Sequence, residues 1–560
     1  MTDHRIHDLP ALFEIDDMVL DGLSEREIRL LIGALNFHAI MAPERELDVH
    51  LYDGDVTALP RLTDDATFDG GSRQFRHRLR TVRMRSLVTM DGREPAAAEE
   101  PSLALSAHHE RHLHISSDVI VAQDPERPPR TDLIGRVARR VKAVAPLWYD
   151  EARDLTLLRH RRMLTSAARR QSYEKQFDVG GVDEDFLIVP AAEAPRGATR
   201  AVVIGMHWFE LGGAERWAFE TVRLAREAGL LPIVLTDRES HHAWIGRPEL
   251  DGALLLPFSV PTDISQTPGV EPVLRTLLRM FDIRGVVVHH NQWLYDRLAW
   301  IRLSRPGIPV VDSTHIVEYR GGGYPRSSAI VSDSISTHHV ISPQLRNWML
   351  EVQRIPAEKV VMAPLGGLTI KPKDATFRPR SAGEPLTVAF IGRLARQKAP
   401  EVFVSLVREL HRSGEDMRFV MHGDGEQSGW IDDIIEADGL GGVIARRTSA
   451  VSVEDTLDEA HVLVIPSHNE GLTLTTLEAI AKGVPVVSTD VGAQADIIPA
   501  SALVPRNVHR AVRGLATVLR GLAQDESARE DLWRRERKAE KKLLANKTAT
   551  DWFRNEVATW

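Results

Sequence analysis

At 560 residues the chain is too long for one hydrophobic core, so two or three domains are expected. It is 43% hydrophobic and 27% charged, an ordinary soluble balance, and its net charge of −9 argues against a general nucleic-acid binder. The lack of cysteine excludes disulfides, thiol nucleophiles and Cys-ligated metal centres, and no apolar run reaches the 18 residues of a membrane span.

The polar start, Met1 to Asp8, has no apolar signal-peptide core, so a cytoplasmic protein is expected, with peripheral membrane contact left open. Residues 1–196 read as an accessory α+β region. Its strand-like runs at 47–52, 74–90 and 116–122 make a β-rich part over 47–123. Arg76, Arg78 and Arg80 alternate on one face there, either to meet an anionic acceptor or to solvate the sheet. His108, His109, His112 and His114 surround Glu110, but the order His-Glu-x-His lacks zincin spacing, and polar strand and turn residues are the better reading. Residues 132–176 hold 11 Lys/Arg against 5 Asp/Glu amid helix-like apolar spacing. They read as solvated helices packed against the catalytic domains, or as a segment that lies on anionic lipid.

A Pro/Ala/Gly seam at 190–197 precedes an alternation of short apolar runs and helical patterns. The runs are at 201–205, 232–235, 285–288, 309–311 and 339–341. A second, polar seam at 370–385 precedes another series, with runs at 386–391, 417–421, 462–465 and 485–487. Two β/α arrays in succession predict two doubly wound, Rossmann-like domains facing a cleft, over 197–372 and 373–540, with a C-terminal helix in 541–560.

In the first array Gly212 and Gly213 form a strand-to-helix turn that suits close approach to a ligand, though not with dinucleotide-binding spacing. In the second, Gly392 and Arg393 follow a strand and Lys398 lies five residues on, a fork and a point charge able to grip a diphosphate. Gly423 begins a turn that approaches a nucleotide base or merely reverses the chain. The most informative stretch is 467–492. After the apolar run 462–465 it presents Glu470 at a strand's C-terminal edge and Glu478 within a helix predicted over 474–482. Open parallel sheets bind ligands at that edge, and a helix N-terminus there favours phosphate. Two carboxylates beside such a site suit a ligand with both hydroxyls and a diphosphate, as in a nucleotide sugar. Alone, the pair reads more readily as a solvated loop glutamate and a helix-surface one.

Taken in order, these motifs resemble the retaining GT-B glycosyltransferases of family four (glycosyl transferases group 1) over about residues 198–560. The resemblance implies a GT-B fold. It also implies that Glu470, in the family's Glu-x7-Glu pair, contacts the donor sugar and Glu478 the ribose. Gly471 and Leu472 complete that donor loop, Arg393 and Lys398 bind the diphosphate, Gly212 and Gly213 close over phosphate and sugar, and His315 lies near the reacting sugar. Departures are Ala399 where the family has Gly after the lysine, Leu365 in place of Asn in the interdomain turn, and Asp496 behind Gly492-Ala493 rather than a diglycine.

The implied partners are a nucleotide-diphosphate sugar donor and a glycan or lipid-linked acceptor. No cofactor or metal is expected, and His315, Glu470, Arg393 and Lys398 are the candidate catalytic residues. The expected activity is retaining sugar transfer in cell-envelope polysaccharide or glycolipid synthesis. The alternatives are a sugar-nucleotide epimerase, which needs no acceptor, and a non-catalytic carbohydrate-binding scaffold on the same frame. The final segment, 528–560, is charged and helix-forming, and Trp552 and Phe553 suit packing back onto the first β/α domain.

Overall fold

The computed structural model describes residues 4–53, 78–89, 110–115, 140, 142–157, 160, 162–170, 193–210, 212–238, 240–258, 271–366, 368, 375–545 and 547–560. Two all-parallel sheets dominate it. The first has seven strands, ordered Val360–Met362, Thr337–Val340, Val310–Thr314, Asp282–His289, Arg200–Met206, Leu231–Leu235 and Leu254–Leu256. The second has six, ordered Ile444–Arg447, Met417–His422, Leu386–Ile391, Val462–Ile465, Val486–Thr489 and Leu503–Val504. The inner strands are nearly continuous Val, Ile and Leu because helices cover both faces of the sheet. In each sheet the first strand in chain order lies between the second and the fourth. That arrangement opens a crevice at the strands' carboxyl ends, where doubly wound folds bind ligands.

A third, mixed sheet orders Phe13–Glu14, Arg78–Ser86, Glu46–Asp53 and Glu110–Ile115. Its helix, Glu25–Met41, begins at a capping box in which Ser24 accepts from the Glu27 amide and Glu27 accepts from the Ser24 amide. Arg29 bonds Asp251 (2.6 Å) and Asn36 donates to the Leu255 carbonyl (3.3 Å), so this helix covers the Leu254–Leu256 edge of the first large sheet. Arg80 is a structural tie rather than an acceptor contact or solvated arginine: it donates to the carbonyls of Val19 (2.6 Å) and Asp21 (3.0 Å). His112 lies in the strand Glu110–Ile115 and bonds the Tyr52 hydroxyl at 3.0 Å. Arg76, His108, His109 and the run 116–122 lie outside the described residues.

The basic segment contributes the helix Pro146–Thr156, which rests against helices Pro400–Arg412 and Val508–Gln524 of the second domain. The charged C-terminal segment forms two helices. Glu526–Leu544 stays on the second domain, and Ala549–Val557 crosses to the first. There Trp552 stacks on His339 (4.8 Å, 15°) and Phe553 meets Trp217 edge-on at 6.1 Å. Burying two aromatic side chains in this way is worth roughly 3–6 kcal/mol of transfer free energy, enough to hold a short helix that would not form alone.

Candidate functional site

Three histidines stand just past the carboxyl ends of strands in the first sheet: His207, His290 and His315. The His315 amide donates to His290 Nε2 (3.2 Å), and the His290 ring stacks on Tyr324 at 4.8 Å. Burial first, and neighbouring histidines second, push His290 and His315 well below their ordinary pKa. Both are therefore neutral at pH 7, and His315 offers a hydrogen bond rather than a positive charge. His207 Nε2 lies 3.0 Å from Glu215, whose carboxylate also accepts from Trp208 Nε1 at 2.8 Å.

Facing them, the second domain brings its motif residues together. Glu470 is 4% exposed, and its carboxylate accepts from Lys398 Nζ at 2.7 and 2.9 Å and from Ser467 Oγ at 2.6 Å. Charge-assisted bonds of this kind are about twice as strong as neutral ones, and they offset the cost of burying the carboxylate. Gly392 lies against the Lys398 stem, and Arg393 is exposed beside it. Leu472 is buried next to the loop. Gly423, at φ +141°, could carry no side chain, since a Cβ there would lie 2.0 Å from the Gly392 carbonyl. This turn therefore presses on the Gly392–Arg393 turn.

The two halves meet across the cleft. Arg216 of the first domain lies 3.5 Å from Glu478, Asn469 donates to the Val317 carbonyl (3.0 Å), and the Tyr319 hydroxyl bonds the His468 carbonyl. The Gly471 backbone packs on His315, where an added Cβ would sit 2.0 Å from the carbonyl oxygen. Gly213 approaches Leu474 in the same region. Gly212 and Thr473 are the N-caps of the helices Gly213–Glu227 and Leu474–Ala481, and neither supplies a side-chain cap. Thr473 Oγ1 is buried without a partner. Two helix N-termini without a side-chain N-cap thus face one cleft from opposite domains, and such an end favours an anion by about 0.3–1 kcal/mol, more when partly buried.

Of the candidate donor-site residues, Lys398 and Glu470 are in direct contact, Gly471 packs on His315, Gly213 approaches Leu474, and Gly423 packs on Gly392. Ser467, Arg216, Glu215 and His290 were missed. Ser467, three residues before Glu470, was the only one whose spacing hinted at a contact, while the partners of the others come from distant parts of the chain. Ala399, in place of the family's glycine, adopts the left-handed conformation (φ +49°) as N-cap of Pro400–Arg412, a strain of roughly 1–2 kcal/mol. Asp496 accepts from the Gln344 amide (3.4 Å), and Leu365 is buried.

Residues 385–524 match the family described as glycosyl transferases group 1. The match falls within the second β/α domain. The chain's relatives include the 2-deoxystreptamine N-acetyl-D-glucosaminyltransferase of Niallia circulans, 36% identical over 130 residues, which are 22% of this chain and 33% of that protein. Another belongs to the phosphatidylinositol N-acetylglucosaminyltransferase of Arabidopsis thaliana, one polypeptide of which is 25% identical over 366 residues, 60% of this chain and 78% of that protein. The chain thus spans from a third to about four fifths of these two relatives. The crystal structure of Anabaena HepE in complex with UDP superposes with a TM-score of 0.50 at 11% identity, covering 64% of this chain and 98% of that one. The shared fold is GT-B. Among the described residues no helix is long and apolar enough to cross a membrane.

Proposed function

We propose that this protein is a retaining glycosyltransferase that moves a sugar from a nucleotide-diphosphate sugar to a hydroxyl of a glycan or lipid-linked acceptor, in cell-envelope polysaccharide or glycolipid synthesis at the cytoplasmic side of a membrane. The observation that carries this reading is the meeting, in one cleft, of two uncapped helix N-termini, the Lys398–Glu470 pair and a neutral His315.

The roles follow from the charges. As the anomeric C–O bond breaks, negative charge builds on the departing diphosphate, and the helix N-termini with Arg393 and Lys398 stabilise it. Lys398 and Glu470 hold each other now. On donor binding the lysine turns to phosphate and frees Glu470 for the sugar hydroxyls. Glu478 takes the ribose hydroxyls, and His315 hydrogen-bonds the sugar without charging. The acceptor oxygen bonds the anomeric carbon on the face the leaving group vacates, and its proton passes to a diphosphate oxygen. With protein cations in place, this step calls for no metal at the diphosphate. Peripheral membrane contact through the basic accessory helix completes the reading.

The test is a panel of nucleotide sugars without acceptor, followed by ligand-observed NMR for binding and slow hydrolysis. UDP-N-acetylglucosamine leads the panel, because both relatives described are named for that sugar and the Anabaena structure holds UDP. One donor should bind selectively, with hydrolysis at least ~100-fold slower in Glu470→Ala. Failure of every sugar nucleotide to bind would overturn the reading in favour of a carbohydrate-binding scaffold.

A further inference from the structure

Behind the donor loop, outside the cleft, lies a second cluster of ionisable groups that the proposed transfer reaction does not use. Asp150 comes from the accessory helix Pro146–Thr156, Glu401 from the first turn of Pro400–Arg412, and His468 from the loop two residues before Glu470. One ligand atom from each lies within 4.8 Å of the others, and all three residues are buried. His468 Nε2 is 2.8 Å from Asp150 Oδ2 and 3.5 Å from Glu401 Oε1. From these groups we infer a binding site for a divalent transition-metal ion, held by one imidazole and two carboxylates, that fastens the accessory helix to the donor loop.

Two observations carry the inference beyond a cluster of acids. Glu401 is 0% exposed, and His468 Nε2, 3.5 Å from Oε1, approaches it without an aligned hydrogen bond to either carboxylate oxygen. Burying a carboxylate with no aligned hydrogen bond costs several kcal/mol, a cost that a cation seated between the three groups would offset. His468 Nε2, although close to both carboxylates, is likewise without an aligned hydrogen bond, and so is Asp150 Oδ1. A hydrogen bond needs alignment, whereas a cation needs only distances. Metal–ligand bonds of about 2.0–2.2 Å at tetrahedral to octahedral angles place neighbouring donor atoms about 3.0–3.5 Å apart. The spacings around His468 bracket that range.

An imidazole with two carboxylates and no sulfur suits Zn2+ or Mn2+. Arg396, with its Nε 3.6 Å from Asp150 Oδ1, stays on the outer side of the aspartate. The ion joins three segments that are far apart in sequence: accessory helix, diphosphate-motif helix and donor loop. Because the His468 amide also donates to the Gln397 carbonyl (2.8 Å), the ion fixes the loop that presents Glu470 relative to the turn that presents Lys398. It takes no part in bond breaking.

The experiment uses full-length protein, stripped with chelator and titrated calorimetrically with ZnCl2 and, separately, MnCl2. One equivalent should bind per chain and raise the melting temperature. Asp150→Asn and Glu401→Gln should each lose at least tenfold in affinity and lose the thermal shift, while their circular dichroism stays that of the metal-free wild type. The wild-type titration decides the matter even if a variant folds poorly. Absence of a stoichiometric site in the wild type would overturn the inference, as would undiminished binding in both variants. His468 would then be the imidazolium of an ion triad, which 15N chemical shifts of its ring would report directly.

Discussion

Glu215 shows how one buried carboxylate is kept charged beside the cleft. Burial alone would raise its pKa, but the bonds from His207 and Trp208 outweigh that and hold it at about 2, against an ordinary 4.5. A depressed carboxyl contributes stability that is present in full above pH ~4.5 and is lost as pH falls towards 2. The shift corresponds to a contribution on the order of 3 kcal/mol. Glu215→Gln should therefore unfold at lower urea than the wild type at pH 7, and the gap should narrow as pH falls from 5 to 3. A gap that stays constant across that range would show that packing, not charge, is what Glu215 supplies. At this scale the sequence was most readable where chemistry is local. Lys398, Glu470 and Glu478 stand in a spaced motif, whereas His207–Glu215 and Arg216–Glu478 are pairs that only the fold creates. The strain at Ala399 was visible only as a departure from the family's glycine.

The strands show where hydrophobic pattern stops being informative. Inner strands such as Leu386–Ile391 and Val462–Ile465 are continuous apolar runs and are where the sequence placed them. The missed ones are outer strands. Ile444–Arg447 carries two arginines, and Leu503–Val504 and Val360–Met362 are two and three residues long. Edges are short or charged because they must not pair with another chain. The helix Glu25–Met41 also went unread, although Ser24 and Glu27 stand at capping-box spacing, because it is buried on nearly every face and so shows little one-sided apolar periodicity. The Ser467–Leu472 loop stands out in the sequence by its Glu-x7-Glu spacing, but its fit against the first domain does not. That fit depends on Gly471, where a Cβ would sit 2.0 Å from the His315 carbonyl. Gly471→Ala should force the two domains apart locally and displace Glu470 from His315 by a fraction of an ångström or more. Misplacement of about 1 Å can cost ~100-fold in rate. A kcat/KM at least tenfold lower, with a melting temperature within a few degrees of wild type, is the expected result. Unchanged kinetics would mean that the catalytic closure does not use this contact.

At the scale of the whole molecule, the accessory region both docks on the catalytic pair and presents a face of its own. The helix Pro146–Thr156 turns Leu147 and Asp150 inward, and Asp154 bonds Arg506 at 2.7 Å. Its other side is apolar in the open: Trp148 is 68% and Leu155 67% exposed, seven residues apart and so on one stripe, and Val144 just before them is 60% exposed. Lys142 and Arg153 flank this stripe, each over the Tyr149 ring, and Arg140 is exposed nearby. An apolar stripe edged with cations is the composition of a helix that lies in the headgroup layer of an anionic membrane, with each cation contributing about 1 kcal/mol at low salt. A lipid-linked acceptor would be presented at such a surface. The full-length protein should therefore cosediment with phosphatidylglycerol vesicles and much less with phosphatidylcholine vesicles. Binding should weaken as salt rises towards 1 M, where the screening length shrinks to about 3 Å. The double variant Trp148→Ala/Leu155→Ala removes the stripe and the Trp148–His509 ring contact (4.8 Å) but leaves Leu147 and Asp150 in place, so it should lose most vesicle binding and keep its affinity for the nucleotide sugar in solution. Equal sedimentation of variant and wild type would place the membrane contact, if there is one, elsewhere on the chain. Loss of donor affinity along with vesicle binding would instead mean that the stripe supports the donor loop through Asp150, and that the exposed face is not a membrane surface at all.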